Sequence, residues 1–577
     1  MALLLTRQPF RLGLAVTICA AVLAGCTAAP PPPLVETPAA RTSVALPTDT
    51  SQVVVGVDGI AGGYNPHELS DQSAVTTALA SVLLPSVFRT APDGTPALDR
   101  TLMVSAQVTS ASPFTVGYQV RTDASWSDGT PIDAADFVYL RSQMISQPGV
   151  IDPAGYRLIS GITARNNLKT VTVTFSKPYP AWRSLFSDLL PAHLLKDAPG
   201  GFASALNGGF PATAGPFDIK TLDVGGGEIV LERSDRYWDK PSVLGQIVLT
   251  KADNQGMADA LHSRADQLAY SRVSAAGLNL LRQSSATIGL TTVPRGELAA
   301  VLLRPGSAQL ADQATRTAVA AAIDRPALIA SGTGNGPSAT LAANSLVTAP
   351  TQAGYVASMP PTAPGAAPVP ARVPAMLAQA GYVATGGVWT RAGHQLSLVI
   401  AAPAGREPYV TIAAQLRGQL AAAGIAATVV TPDSTQLYEQ LLNPAATATN
   451  GGTSGVGQPI DIVVGPQPTG ADPATELASW FGCAAASPGG PPTVSAGPLG
   501  WCDPAVQPTV EAALTGEMSV SDALARVEPA LWGQAVEIPL FQVSDVLAVG
   551  PQVSGVDGGP PLAGPFVGAA TWNRSNG

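Results

Sequence analysis

Cys26 closes the run Leu23-Ala24-Gly25-Cys26, and its thiol is the first group in the chain with a recognisable chemistry. Two small residues precede it, an apolar stretch runs from Leu12 to Leu23, and the start is basic through Arg7 and Arg11. This is the order of a bacterial leader whose removal exposes a cysteine for thioether lipidation. The apolar stretch, about a dozen residues, has the length of a signal-peptide core and is too short for a membrane span. Residues 1–25 are therefore expected to be a signal peptide and Cys26 the lipidation site. The protein would then be exported and held by N-terminal acyl chains at the outer face of the cytoplasmic membrane.

Of the remaining cysteines, Cys19 lies in the leader, leaving Cys483 and Cys502 in the body. In an oxidising compartment two such thiols are expected to form a disulfide; the alternative is two unrelated buried thiols. The segment between them, rich in Ser, Pro and Gly, has little capacity to order itself. Closing it would contribute roughly 3 kcal/mol. Nothing else in the chain has the spacing of a catalytic or metal centre. His67, His193, His262 and His394 are scattered, and Gly-x-Ser-x-Gly and His-Glu-x-x-His runs are absent. Gly332-Thr-Gly-Asn-Gly336 follows a helix-like stretch where a phosphate-cradling loop would follow a strand. The reading is a non-enzymatic protein with no cofactor and no metal.

Loss of residues 1–25 removes two arginines and no acids, moving the formal charge from −9 to −11. An acidic body repels nucleic acid and anionic headgroups, which excludes basic-patch binding to either. Residues 26–51, with Pro30-Pro31-Pro32-Pro33, read as lipid anchor and tether. Fully extended, they would let the body stand on the order of 70 Å from the membrane. The body, roughly 520 residues, is too long for one simple core.

The elements expected to position any site begin with the β-branched run Gln52–Val57 and a helix over Ser73–Leu84. Phe114–Val120 and Thr170–Phe175 alternate as half-buried strands, and Glu228–Leu231 and Gly245–Thr250 repeat the pattern. Thr315–Leu328, Ala371–Gly381 and Tyr409–Ala423 read as helices, and Leu396–Ile400 as a strand. Ala349–Pro374 and Pro444–Pro459 read as long surface loops.

Tyr64-Asn65-Pro66, Asp93-Gly94 with Pro96-Ala97-Leu98, and Tyr118-Gln-Val-Arg121 open a series of short motifs. Trp126-Ser-Asp128-Gly129-Thr130-Pro131 followed by Ala135-Asp136-Phe137-Val138 is the most specific of them. Leu190-Pro-Ala-His-Leu194, Ala214-Gly-Pro-Phe217, Asp235-Arg-Tyr-Trp238, Ile323-Asp-Arg325 and Ala380-Gly-Tyr382 continue it. In this order the segments resemble the family 5 extracellular solute-binding proteins, the oligopeptide and dipeptide receptors of bacterial transporters. The resemblance implies an α/β, periplasmic-binding-protein-like fold of class II (cluster C): two α/β lobes around a cleft, plus an extra lobe. The expected boundaries are lobe I over 52–88, 212–300 and 545–577 with the C-terminal tail, an extra lobe II over 89–211, and lobe III over 301–544.

Peptide-binding members of the family hold the ligand's ammonium with an Asp in the last third of the chain, behind an aromatic residue. At the matching strand this sequence has Asp461-Ile-Val-Val-Gly465 and then Pro466-Gln467-Pro468-Thr469-Gly470, with neither group in place. Asp472 reads as the N-cap of a helix beginning at Pro473. Burying an ammonium without its carboxylate costs several kcal/mol. Ser146-Gln-Pro-Gly-Val150, Asp152-Pro-Ala-Gly-Tyr156 and Pro178-Tyr-Pro-Ala-Trp182-Arg183 resemble a mycobacterial lipoprotein subgroup linked to phosphatidylinositol mannoside and lipoarabinomannan synthesis. That resemblance implies a mannosylated inositol lipid as ligand and a membrane mannosyltransferase as partner, with the protein a monomer. Asp58, Tyr64, Asn65 and Gln467 are the candidate cleft residues; Trp126, Tyr237 and Trp238 read as packing. The alternatives are a peptide or solute receptor for an ABC permease, and an interaction scaffold with a degenerate cleft.

Overall fold

The protein's computed structural model describes residues 51–60, 62–284, 287–442, 459–470, 472–485, 492–495 and 497–575. Residues 1–25, Cys26, the tether as far as residue 50, and the loop expected over Pro444–Pro459 apart from its last residue lie outside them. Ten strands form one sheet: β1 (Gln52–Val57), β2 (Phe217–Asp223), β3 (Glu228–Arg233), β4 (Gln246–Lys251), β5 (Leu268–Ser271), β6 (Gly289–Leu303), β7 (Ser397–Ala401), β8 (Ala426–Val430), β9 (Ile462–Pro468) and β10 (Glu537–Val549). Their order is β8-β7-β9-β6-β10-β5-β1-β4-β3-β2. β1 to β5 build one half and β7 to β9 the other. The β-branched runs of β1 and β7 pair in parallel with β4, β5, β8 and β9, with helices between, as buried parallel strands require.

The two halves are joined by the long strands β6 and β10. Gly289 to Pro294 pairs with Val549 to Ser544, and Leu298 resumes opposite Gln542, so Arg295, Gly296 and Glu297 stand out of the ladder. A second register shift follows at Ala299/Ala300, where Pro539 faces Ala300. Proline has no N–H for a central ladder, so Pro294 and Pro539 occur where pairing breaks. Gln542 closes the gap, donating to Arg295 O at 2.9 Å and accepting from Thr351 N at 3.0 Å. Within the gap Arg295 meets Glu297 at 2.6 Å and approaches Asp545 of β10 at 4.0 Å. Tyr409 donates to Glu297 from the β7–β9 side. Burial alone would loosen the proton of Arg295, but Glu297 and then Asp545 outweigh it and hold the guanidinium firmly protonated.

A separate antiparallel sheet of four strands covers residues 103–175, in the order Met103–Ala111, Phe114–Val120, Thr170–Phe175, Ile159–Arg165. Its base is the signature segment. Asp136 accepts from Trp126 Nε1 at 3.3 Å, Asp133 N at 3.0 Å and Ala192 N at 3.0 Å. Lys169 donates to Ala124 O and Ile132 O, and His193 pairs with Asp128 at 2.7 Å. The signature segment and the distant run at Ala192 therefore meet at one buried carboxyl, which burial pushes up to about 6.

The strands expected at Gln52–Val57, Phe114–Val120 and Thr170–Phe175 stand with those bounds. The single helix expected over Thr315–Leu328 does not: it is two, Gln313–Ala321 and Arg325–Thr333. The Asp324 side chain caps Ala327 N at 3.0 Å, and Pro326 cannot donate into a preceding turn, so the apolar periodicity continues across a real break. Arg325 is then free to donate inward to Pro539 O at 2.7 Å. Gly381, in the left-handed region at φ +85°, follows the helix Val373–Gln379. Cys483 and Cys502 are bonded, with Cα atoms 5.1 Å apart.

Two stability effects are expected. Cys502→Ser should lower the unfolding free energy by roughly 3 kcal/mol in urea titration, by releasing the loop closed by the bridge. Arg295→Met should cost about 3 kcal/mol because Glu297 and Asp545 lose their cation, and adding Glu297→Gln and Asp545→Asn should recover part of that loss.

Candidate ligand cleft

The bulge of β6 faces a seam between the two halves, and the cavities lie along that seam. The first, of about 600 Å³, has Arg89, Thr90, Pro180, Arg183, Ser184 and Ser187 on one wall, and Thr351, Gln352, Thr469, Gly470 and Asp472 on the other. Gly296 and Leu562 form its floor. A second, about 220 Å³, continues from Gly296, Thr469 and Leu562 to Pro66, Gln72, Asp152, Tyr270, Arg295 and Glu297. A third, about 140 Å³, runs from Asp152 and Gly149 to Tyr438, Ser479 and Trp480. Gly296 is needed where the strand approaches the other wall: a Cβ there would sit 2.4 Å from Thr469 O.

The walls are mixed. Thr, Ser and Gln side chains stand among prolines, alanines and glycines in the larger cavity, and Phe88 is its one aromatic lining residue. Arg89 is committed to Asp99 at 2.6 Å and to Leu84 O at 2.8 Å. Arg183 instead stacks on Trp182, its Cζ 4.4 Å from the ring centroid, and presents a cation to the cavity. Asp472 caps Thr475 N at 2.9 Å, as its sequence position implied, and also lines the cavity. Among the described residues no three His, Cys, Asp or Glu side chains gather as a metal-ligand set.

The seam is closed by direct contacts. Arg406 reaches across to Ser70 O and Gln72 O, both at 2.7 Å. Tyr179 and Thr475 hydroxyls meet at 2.8 Å, and Ala154 N donates to Ser479 Oγ at 3.2 Å. Within the second wall, Gln352 Nε2 donates to Glu476 at 3.4 Å, and Gly470 N donates to the same carboxyl.

The four residues picked from the sequence do not form the cavity walls. Tyr64 and Asn65 are fully buried: Asn65 Nδ2 donates to Phe202 O at 3.1 Å, and Asn65 N to Asp71 Oδ2 at 2.8 Å. The loop folds inward around Asp71, and its next residue, Pro66, is the one that reaches the seam. Gln467 donates to Leu346 O at 2.6 Å; the side chains of successive strand residues face opposite ways, so Pro468 faces the cavities in its place, joined by Thr469 just past the strand end. Asp58 is exposed, accepts from Arg272 N at 3.1 Å, and lines none of the three cavities. Trp126 packs in the core and Trp238 donates to Thr101 O at 2.6 Å.

The residues that do line the seam carried weak signals. Trp182-Arg183 stood within a run singled out by resemblance, and Arg295-Gly296-Glu297 interrupts an otherwise apolar strand.

With this geometry, comparison with known proteins is informative. The family described as bacterial extracellular solute-binding proteins, family 5 (middle), matches residues 101–475. The Mycobacterium tuberculosis protein named "Probable monoacyl phosphatidylinositol tetramannoside-binding protein LpqW" is 35% identical over 94% of this chain and 94% of its own length. The oligopeptide-binding protein AppA of Bacillus subtilis, solved with a nonapeptide, superposes with a TM-score of 0.72 at 16% identity, covering 91% of this chain and 99% of its own. The periplasmic EDTA-binding protein EppA gives 0.69 at 22%, covering 91% and 96%. Identities this low establish the fold and leave the ligand open. The seam is the cleft of a two-lobed binding protein, and the chain belongs to the family 5 extracellular solute-binding proteins.

Proposed function

We propose that this protein is a lipid-anchored receptor for a mannosylated inositol lipid, which it binds or passes on in cell-envelope glycolipid synthesis. The observation that carries the reading is the match along 94% of both chains to the mycobacterial tetramannoside-binding protein. The cleft chemistry supports it. Hydroxyl and amide side chains on both walls can pair with sugar hydroxyls, and Arg183 offers a charge for a phosphodiester. No position at 466–470 supplies the carboxylate that peptide-binding relatives use. Acyl chains on Cys26 would keep the cleft within tether's reach of the bilayer that holds such a ligand and a membrane mannosyltransferase.

A second reading, a peptide receptor serving an ABC permease, is favoured by one observation. Asp152 and Asp472 line cavities of the cleft, and together they could neutralise an ammonium.

Native mass spectrometry of the mature chain separates the two readings. A tetramannosylated phosphatidylinositol should be retained and its deacylated headgroup should compete, with Arg183→Gln weakening both at least tenfold. Retention of peptides alone from a mixed pool would overturn the lipid reading. In cells, Cys26→Ala should leave the fold and melting temperature unchanged while releasing the protein from the membrane fraction and altering the glycolipid profile. A released form that sustains normal glycolipids at native abundance would reduce the anchor to a retention device.

A further inference from the structure

The closed seam places acids against acids at two separate points. At the first, Asp152 of the β1–β5 side faces Asp472 and Glu476, at the start of the helix Pro473–Phe481. Tyr179 from the same side as Asp152 also faces this group, as does Gln352 from the other. Arg157, which lines the same cavity as Asp152, is the neighbouring base, and burial lowers its hold on its proton. Glu476 is 3% exposed, and its Oε2 has no hydrogen-bond partner among the described residues.

At the second point Glu68 and Asp71, from the loop after β1, face Glu439 and Asp433 on the segment leading to β9. Glu68 is fully buried, and among the described residues neither of its carboxyl oxygens has a hydrogen-bond partner. A Cβ on Gly149 would lie 3.3 Å from Glu68 Oε2 and 3.5 Å from Glu439 Cγ, so both acids crowd one spot of the seam. Arg406 is the cation there, and both of its contacts across the seam are to main-chain carbonyls of residues 70 and 72, beside Asp71.

We propose that the cleft is proton-latched: its lobes close when the facing carboxyls at these two points are protonated, and part as they ionise. Two ionised carboxylates cannot share a dry contact, whereas a carboxylic acid can donate to its neighbour. The directions agree with the geometry. Burial, and then Asp472, push Asp152 up to about 7; burial, and then Asp71 and Asp433, push Glu439 up to about 7. Burial and then Glu439 raise Glu68, and burial and then Asp152 raise Glu476. In the open form these groups would return toward the ordinary carboxyl range of roughly 4. The closed form therefore holds extra protons between those limits. Closure is fully favoured at the acid end, and each such group weakens it about tenfold per pH unit as pH rises to about 7.

The test uses the full mature chain without ligand. Dyes on Val224→Cys and Val383→Cys, exposed positions on the two sides of the seam, report the interlobe distance by energy transfer, with small-angle scattering as a label-free check. Between pH 4.5 and 8.5 the distance should lengthen as pH rises. Asp152→Asn and Glu68→Gln, each checked for native melting, should keep the lobes closed at pH 8 and flatten the profile, the pair more than either alone. An unchanging distance in the wild-type chain would overturn the latch, as would a wild-type profile in the double variant. The consequence for ligand rests on the glycolipid reading: affinity should fall in step with opening. Failure to bind the lipid at any pH, with the distance change intact, would sink that reading and leave the latch standing.

Discussion

The ion pair of Arg295 with Glu297, in a break between two long strands, is the contact on which the rest of this structure turns. A single sheet would prefer uninterrupted pairing of β6 with β10. Two prolines deny it, and three residues of β6 are left outside the ladder. Their charges would be costly there if unpaired. Arg295 balances Glu297 and Asp545, Tyr409 donates from one half, and Gln542 takes the open carbonyl. The result is a fixed bulge at the point where the two halves of the molecule exchange neighbours, and the cavities open onto it. A cleft needs a rigid base that still permits its walls to move, and two strands with a sealed interruption provide one.

The segments most characteristic of the family have a different task. Trp126, Asp133 and Asp136 lie in the signature segment and Ala192 in a run more than 50 residues on, yet their polar groups converge on the one carboxyl of Asp136 beside the four-stranded lobe. That explains why such motifs identify the fold without identifying a ligand: they satisfy buried polar groups whatever the cleft contains. The groups that line the cavity lie elsewhere, on loop residues next to strand ends such as Thr469 and on the turn at Arg183. Loops on a rigid frame are free to vary in chemistry where a buried network is not.

The electrostatics of the cleft are mixed. The larger cavity has an unshared guanidinium stacked on Trp182, while the seam deeper in is acidic on both walls. The acidic contacts act on how tightly the walls meet, and the hydroxyl-lined cavity acts on what they hold. A receptor whose closure and recognition depend on different side chains can change one without losing the other.

By itself the sequence determined the leader-like start and the export it implies, the family, and most strands. Those features are local: periodicity, turn residues and contiguous motifs survive in one dimension. It misread Thr315–Leu328 because apolar periodicity ran through a capped break, and the competing cap at Asp324 was the stronger local force. It chose Asn65 and Gln467 over their neighbours Pro66 and Pro468 because a one-residue change in facing is invisible without the packed sheet. Only the tertiary structure could decide which side of each strand end meets the cleft. It also decided that Asp152 lies close to Asp472 and Glu476, more than 300 positions further along the chain. The physical reason is the same in each case: burial and charge repulsion are properties of neighbours in space, and the chain order does not record them.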